Sequence, residues 1–476
     1  MRARRGQRER TKRKAPALAA GLLLCLATSP VAAPRTAHAG GPLGPQGTPI
    51  QTSNYTLDLF QGPVLASSRV TGMAGAYSAL AEGAEGIPFN AAAASQRYAY
   101  STTRTDWELT GGVTFPASVA STDFDNNGKT GFGYHDFVWA TGGGFLQHDH
   151  WGFGAIVSAQ SYSLGAPPQL GLDGTGVKDL TVRIFKVDAV ASYGFLDDQL
   201  HIGGGLRGAV FTAVDTSSGE KLLLGTYGIG AQAGALWRPH HLPLRLGGTI
   251  RSPVIGTITS SPNVDQDPKS GDRVVGRFFL PSGVDLPWEL EGGVAIQLGP
   301  RPLNIQWIDE DTVDDPEIEE ERRLIPATST VPAHLEPSYR SARRVLRRRY
   351  RDIPRDKVLL SFSMLVTGPT KGAVGVESML TQVIDRSGER SSVTLRGGTE
   401  VEVVPNRLQL RAGSYMEPTR FRQSSPRLHA TTGFEVRVVD WSLFGIFPED
   451  NAFRVSGAVD VSREYFGWSL GIGSWF

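Results

Sequence analysis

Tyr465-Phe466-Gly467-Trp468-Ser469-Leu470-Gly471-Ile472-Gly473-Ser474-Trp475-Phe476 is the stretch that decides the fold. Phe466, Trp468, Leu470, Ile472 and Phe476 share one parity, and Gly467, Ser469, Gly471 and Gly473 share the other. A strand sends alternate side chains to opposite faces, so one face is apolar and the other nearly bare. In water such a terminal strand would fray and expose its aromatic rings. A transmembrane β-barrel needs this pattern: apolar toward lipid, small or polar toward the lumen, and no open edge. The competing reading is an ordinary sandwich strand, and the rest of the chain weighs against it.

By length alone, 476 residues suggest two or three soluble domains, but a barrel enlarges by adding strands around one lumen. Residues 1–39 read as a signal peptide. Arg2, Arg4, Arg5, Arg8, Arg10 and the basic residues up to Lys14 form its charged start. Ala15 to Ala27 is a short apolar run, and Ala37-His38-Ala39 is a small-x-small cleavage site. Gly6-Gln7 do not continue a twin-arginine motif, and Leu24 is too bulky to precede a lipidated Cys25. Without residues 1–39 the chain loses nine Lys/Arg and one Asp/Glu, so the balance moves from +1 to −7, with 39 basic and 46 acidic residues. Nothing in that charge points to nucleic acid. Cys25 is the sole cysteine, so the exported chain carries no disulfide, Cys-metal site or Cys nucleophile. No apolar run of ~18 residues follows the signal, which leaves strands as the means of crossing a membrane.

Residues 40–95 read as a leader and a hatch. Gly40 to Ser53 is rich in Gly, Pro, Thr and Gln, and Tyr55, Leu57 and Leu59 alternate with Thr56 and Asp58 as a short strand. Ser68-Arg69-Val70-Thr71-Gly72-Met73-Ala74-Gly75-Ala76-Tyr77-Ser78-Ala79-Leu80-Ala81 follows, then Ile87-Pro88-Phe89-Asn90-Ala91-Ala92. Small residues this dense let backbone pack on backbone, as a plug inside a barrel requires; an Ala-rich helix would satisfy the composition equally.

These segments resemble the long-chain fatty acid transporter family, the FadL/TodX-like outer-membrane proteins. That family carries R-x-x-G-M-G-G-A-Y-x-A-x-A and then N-P-A ahead of its first barrel strand. Arg69, Gly72, Met73, Gly75, Ala76, Tyr77, Ala79 and Ala81 match, as do Asn90 and Ala92; Ala74 and Ala91 depart. The resemblance implies an all-β fold, a transmembrane antiparallel barrel of fourteen strands with an N-terminal hatch. It also implies passage of hydrophobic molecules and a kinked strand that opens the wall sideways. The terminal Phe476 resembles the signal read by the outer-membrane barrel assembly machinery, with Ser474 standing where that signal has an apolar residue.

Residues 96–476 read as the barrel. Short turns are expected near 147–150, 196–199, 238–241, 299–302, 367–370, 404–407 and 445–451, and long outer connections near 116–131, 164–178, 255–286, 309–356 and 417–428. Counting the runs between them gives sixteen strands against the fourteen that the resemblance implies. Parity places Leu200, Ile202, Leu206 and Val210 opposite His201, Arg207 and Phe211. Leu290, Val294, Ile296 and Leu298 oppose Glu289, Glu291 and Gln297, and Val393, Leu395, Val401 and Val403 oppose Arg396, Glu400 and Glu402. Arg245, Arg251, Arg411, Glu435 and Arg437 also fall on the inner parity. A charge facing lipid at mid-depth costs ~2–4 kcal/mol for Arg or Lys, so these groups are expected to line a wet lumen and pair across it. Apolar parity slips between Ile184 and Phe185, as a bulge or kink would make it.

Asp123-Phe124-Asp125-Asn126-Asn127-Gly128 begins like a calcium loop, with Asp123, Asp125 and Asn127 as candidate ligands. Tyr134 stands where an EF-hand needs Glu, so a polar Asx turn is the stronger reading and no metal or other cofactor is expected. His148-Asp149-His150 and His240-His241 fall in expected turns. His201 or His135 could serve a barrel-wall hydrolase, but no companion arrangement is evident and no enzyme is expected. Nine acids between Asp309 and Glu321 and eight Arg between Arg340 and Arg355 make a charged insertion at 309–356. Its arms either neutralise each other or present an Arg helix to lipopolysaccharide phosphates.

The resulting expectation is an outer-membrane barrel with a hatch, passing hydrophobic small molecules such as long-chain fatty acids. Its expected partners are outer-membrane lipid, lipopolysaccharide and the assembly machinery, with no nucleic acid. The rival is a structural or assembly-partner barrel on the same scaffold.

Overall fold

The computed structural model describes residues 43–98, 101–117, 122–165, 177–217, 219–259, 261–325, 332–440 and 452–475. The expected signal peptide, the turn at 445–451 and Phe476 lie outside these residues. Fourteen antiparallel strands close one barrel. They are β1 Thr105–Phe115, β2 Gly133–His148, β3 Trp151–Gly165, β4 Asp179–Phe195, β5 Leu200–Asp215 and β6 Lys221–Trp237. Then come β7 in two segments, Leu244–Arg251 and Val254–Thr259, and β8 in two, Gly283–Leu286 and Glu289–Leu298. β9 is Val358–Thr367, β10 Ser392–Val404, β11 Leu408–Glu417, β12 Arg427–Asp440, β13 Ala452–Ser462 and β14 Tyr465–Trp475. The terminal strand closes the sheet on the first, with Thr110 opposite Gly473 and Phe115 opposite Trp468. Closure leaves no unpaired edge to lipid.

The count is therefore fourteen, not sixteen. Apolar runs that could pass for extra strands fold otherwise: Val376–Thr381 is a helix with five of its six residues, Glu377 to Thr381, buried within the outer cap. The outward parity is mainly apolar, with Leu109, Phe153, Phe185, Leu206, Phe362 and Ile472 among its large exposed side chains. In the closing strand Leu470 and Ile472 point out, while Ser469, Gly471 and Gly473 are buried toward the lumen.

Three expectations need correction. β4 carries no bulge at Ile184/Phe185, since its pairing to β3 and β5 is continuous from Leu180 to Tyr193. Leu180, Val182 and Ile184 face inward and Phe185 and Val187 outward. The outer lumen is itself apolar there, so the chemistry changes face while the geometry does not. The break in the wall lies in β7 and β8 instead. Ser252-Pro253 separates the halves of β7 opposite Pro287-Trp288 in β8. A proline cannot donate to the ladder, so hydrogen bonding is interrupted twice at one height. β6 pairs the lower half of β7 through Gln232–Trp237 and the upper half through Gly225–Tyr227, skipping the residues between.

The third correction concerns loops. Short turns at 149–150, 196–199, 238–243 and 405–407 mark the periplasmic end. The β8–β9 connection, 299–357, emerges at that same end rather than among the outer loops. Conversely, 367–370 begins a long outer connection that runs to Ser392 and contains the Val376–Thr381 helix.

Candidate functional site

The lumen is filled by residues 43–98. Thr56–Asp58 runs parallel to Gly283–Asp285 and Ala373–Val374, which anchors the segment at the outer end. The turn of helix Ser68–Gly72 packs on β11 to β13, and the 3-10 turn Ala91–Ser95 packs on β3 to β6. These contacts need small residues on both sides. A Cβ on Gly433 of β12 would lie 3.2 Å from the Gly72 Cα, and one on Gly398 of β10 would lie 2.5 Å from the Met73 carbonyl oxygen. Met73, Ala76 and Tyr77 are fully buried, and the Ala76 carbonyl accepts from Ser361 at 2.7 Å. Gly75 has φ +71°, a conformation that L side chains rarely adopt. Asn90 caps the Ala91–Ser95 turn through the Ala92 N–H at 3.0 Å, and its amide donates to Ser78 O at 2.9 Å and Ala235 O at 3.0 Å. It therefore ties two parts of the plug to the wall.

The inner-parity charges form belts that include plug residues. Arg69 pairs with Glu400 at 3.1 Å and with Glu82 of the plug at 2.7 Å, and Arg245 meets Glu82 at 2.7 Å. Arg411 bridges Glu400 at 2.7 Å and Glu435 at 2.6 Å, and Arg454 bridges Glu435 at 2.9 Å and Glu85 at 2.7 Å. Along the inner wall, Arg207 and Arg251 share Glu289, and Arg251 and Arg396 share Glu291, at 3.1–3.4 Å. Glu402 pairs with Arg301. Arg437 is half-buried toward the periplasmic end, opposite Arg454. A buried carboxylate left without its cation would cost several kcal/mol, so these pairs hold plug and wall in register.

A cavity of about 190 Å³ lies between the plug residues Phe60–Ser67 and the wall, beside the interruption at Pro287. Trp139, Ile156, Leu365 and Phe89 give it apolar surface. Lys186 of β4 reaches into it, donating to Gln61 of the plug at 2.8 Å and making no ion pair with any described carboxylate. Sequence reading missed Lys186. Its signal was an inward cation in the run Val182, Ile184, Lys186, Asp188, once parity is carried through without a slip.

At the outer end, Asp123 accepts from the Asn127 and Gly128 N–H groups at 2.9 Å, the geometry of an Asx-type turn. Asn127 contacts both Asp125 and Glu377, and Glu377 also accepts from Tyr134 at 2.9 Å. Glu377 is the residue the sequence did not connect to this loop. Burial pushes its carboxyl up to about 8, and burial with Glu377 alongside holds Asp125 well above the usual carboxylate range. Among the described residues no group of three or more His, Cys, Asp or Glu is placed to hold a metal ion.

The two arms of the insertion neutralise each other. Helix Asp315–Arg323 and helix Ser338–Arg351 meet through Arg348–Glu321 and Arg349–Glu317, and Arg343 pairs with Glu310. The insertion stands at the end of the barrel that carries the short turns, opposite the long outer connections. The segment entering the insertion crosses the lower mouth. The Asn304 amide donates to Pro239, Leu242 and Leu244 carbonyls, its oxygen accepts from Arg245 at 2.8 Å, and Trp307 Nε1 donates to Ser101 O at 2.8 Å. His148-Asp149-His150 and His240-His241 stay in separate turns, where His150 pairs with Asp198 at 2.8 Å. His201 does meet a serine, Ser95 of the plug, at 2.9 Å. Both are fully buried, which suits a plug–wall bond rather than a nucleophile with access to substrate.

Solved structures resemble this architecture at low identity. A Pseudomonas aeruginosa FadL homologue is 12% identical, covering 87% of this chain and 99% of its own, with TM-score 0.48. The CymD monoaromatic hydrocarbon channel is 11% identical over 86% of this chain and 96% of its own, with TM-score 0.46. The Pseudomonas putida toluene transporter TodX is 12% identical over 91% of this chain and 97% of its own, with TM-score 0.41. No family profile and no curated protein matches the sequence.

Proposed function

We propose that the barrel passes hydrophobic small molecules, carboxylate-bearing chains such as long-chain fatty acids among them, by a route that plug movement opens. The observation that carries this reading is the cavity between Phe60–Ser67 and the doubly interrupted wall at Ser252-Pro253 and Pro287-Trp288. Apolar lining suits a hydrocarbon chain, and Lys186 is the group to hold its carboxylate. Ligand pockets commonly run to ~300–1,000 Å³, so a long chain needs more room than about 190 Å³ and the plug must shift to supply it. The charged belts make the axial path costly for an apolar molecule, which favours sideways exit where the ladder is broken. Under the same reading, residues 1–39 direct export, Phe476 serves assembly, and the outward apolar face meets outer-membrane lipid. The test is uptake of radiolabelled oleate and of sucrose into liposomes carrying the full chain. Oleate uptake above protein-free liposomes, lowered by Lys186→Gln, supports it. Equal uptake with and without protein would favour a structural barrel instead.

A further inference from the structure

Below the plug, at the periplasmic mouth, lies a second chamber of about 90 Å³. Its lining carries seven Lys or Arg and only two carboxylates, Glu82 and Glu435. Five of the cations reach carboxylates: Arg69, Arg245, Arg301, Lys357 and Arg454 pair with Glu82, Glu85, Glu400, Glu402 or Glu435. The other two, Arg97 and Arg238, have no carboxylate within ion-pair distance among the described residues, although they are only 3% and 4% exposed. Arg238 donates to the Arg97 and Ile305 carbonyls at 3.3 and 2.9 Å. Arg97 donates to Thr103 O at 2.6 Å and lies over the Trp307 ring at 4.3 Å. Both Nε atoms are buried and unpartnered.

A guanidinium stays charged at neutral pH, and a buried charge without a counter-charge is unfavourable. The direct partners of Arg97 and Arg238 are carbonyls and an aromatic face, and carboxylates such as Asp198 act on both only from beyond ion-pair distance. Both side chains line this one chamber, each with an idle N–H donor, and together they make a recess in want of an anion. The chamber's volume is about three times a water's ~30 Å³ share of the liquid, which admits one small oxyanion. We infer that Arg97 and Arg238 form a site for a single carboxylate or phosphate-type oxyanion at the periplasmic mouth. Guanidinium groups suit planar and tetrahedral oxyanions through paired N–H donors. The anion's source is either the periplasmic solution or the head group of a molecule leaving the barrel. The inference does not depend on transport, because binding alone tests it.

Calorimetric titration of the full chain in detergent with inorganic phosphate, acetate and decanoate is the experiment, run on the unaltered protein, on Arg238→Gln, and on Arg422→Gln at the exposed outer surface. Phosphate or acetate binding that weakens at least tenfold in Arg238→Gln and not in Arg422→Gln supports the site with a dissolved anion. Decanoate binding alone, with the same loss, supports it with a head group. Binding of none of the three, or binding indifferent to Arg238→Gln, overturns it. Should Arg238→Gln fail to fold, crystals of the unaltered protein soaked in selenate give a direct readout. An anomalous peak between Arg97 and Arg238 is expected, and its absence overturns the site.

Discussion

Asp58 of the plug strand and Arg420 of the outer loop between β11 and β12 form an ion pair at 2.7 Å, with both side chains 1% exposed. Asp58 also accepts from Ser387 Oγ at 2.9 Å and Thr370 Oγ1 at 3.2 Å, so one carboxylate joins the plug to two outer loops. Removing it strands a buried guanidinium. Asp58→Ala is expected to cost about 3–5 kcal/mol in the outer cap. Limited proteolysis should show faster cleavage within 368–391 while the barrel core stays resistant. Unchanged cleavage would detach Asp58 from the cap's stability.

Contact between plug and wall depends on missing side chains. A Cβ at Gly247 of β7 would overlap the Ser78 carbonyl, whereas one at Gly292 of β8 meets nothing within 4 Å. Gly247→Ala is expected to destabilise plug seating by about 1–3 kcal/mol, as overpacking does. Planar-bilayer recordings should show more frequent open events in Gly247→Ala and the parental trace in Gly292→Ala. Identical traces from both variants would mean that the plug is not held by this fit.

Lys186 is expected to matter for charged cargo and not for neutral cargo. Lys186→Gln keeps a donor for Gln61 but removes the charge. Oleate uptake should fall severalfold, while uptake of a neutral hydrocarbon of similar length stays within twofold. An equal fall for both would point to damaged packing rather than to a lost anchor.

The outer loop carries a pH dependence of defined sign. Glu377 is pushed up to about 8 by burial, from an ordinary value of 4.5. Its folded form holds a proton that the unfolded form has released across that interval, so stability is present below the lower value and lost as pH rises through the upper one. Docking of the 122–132 loop on helix Val376–Thr381 should therefore loosen progressively between pH 4.5 and about pH 8. Hydrogen exchange of Asn126 to Lys129 should accelerate over that range, and Glu377→Gln should flatten the profile. Acceleration of equal size in Glu377→Gln would assign the effect elsewhere.

The strap at the lower mouth turns on Asn304. Asn304→Ala removes the amide that holds the Pro239, Leu242 and Leu244 carbonyls, a loss of about 1–3 kcal/mol where buried groups are left unpaired. Small-ion conductance should rise without a change in barrel melting. A fall in melting with unaltered conductance would make the strap a brace for the wall and not a closure.

The sequence by itself determined the wall. Alternation in 465–475, 289–298 and 393–403 sorts lipid-facing from lumen-facing residues because strand geometry has a period of two, which needs no partner to be read. It also marked the dense small residues of 68–92, since close backbone packing leaves a compositional trace. Tertiary structure alone decided which distant residues meet. Arg69 with Glu400, Asn127 with Glu377 and Asp58 with Arg420 are brought together across 250–362 positions. The end of the barrel from which 299–357 emerges depends on strand count, and one miscounted strand inverts it. The apparent slip at Ile184/Phe185 misled for a related reason: inner and outer faces can both be apolar, and only the neighbouring strands tell which is which.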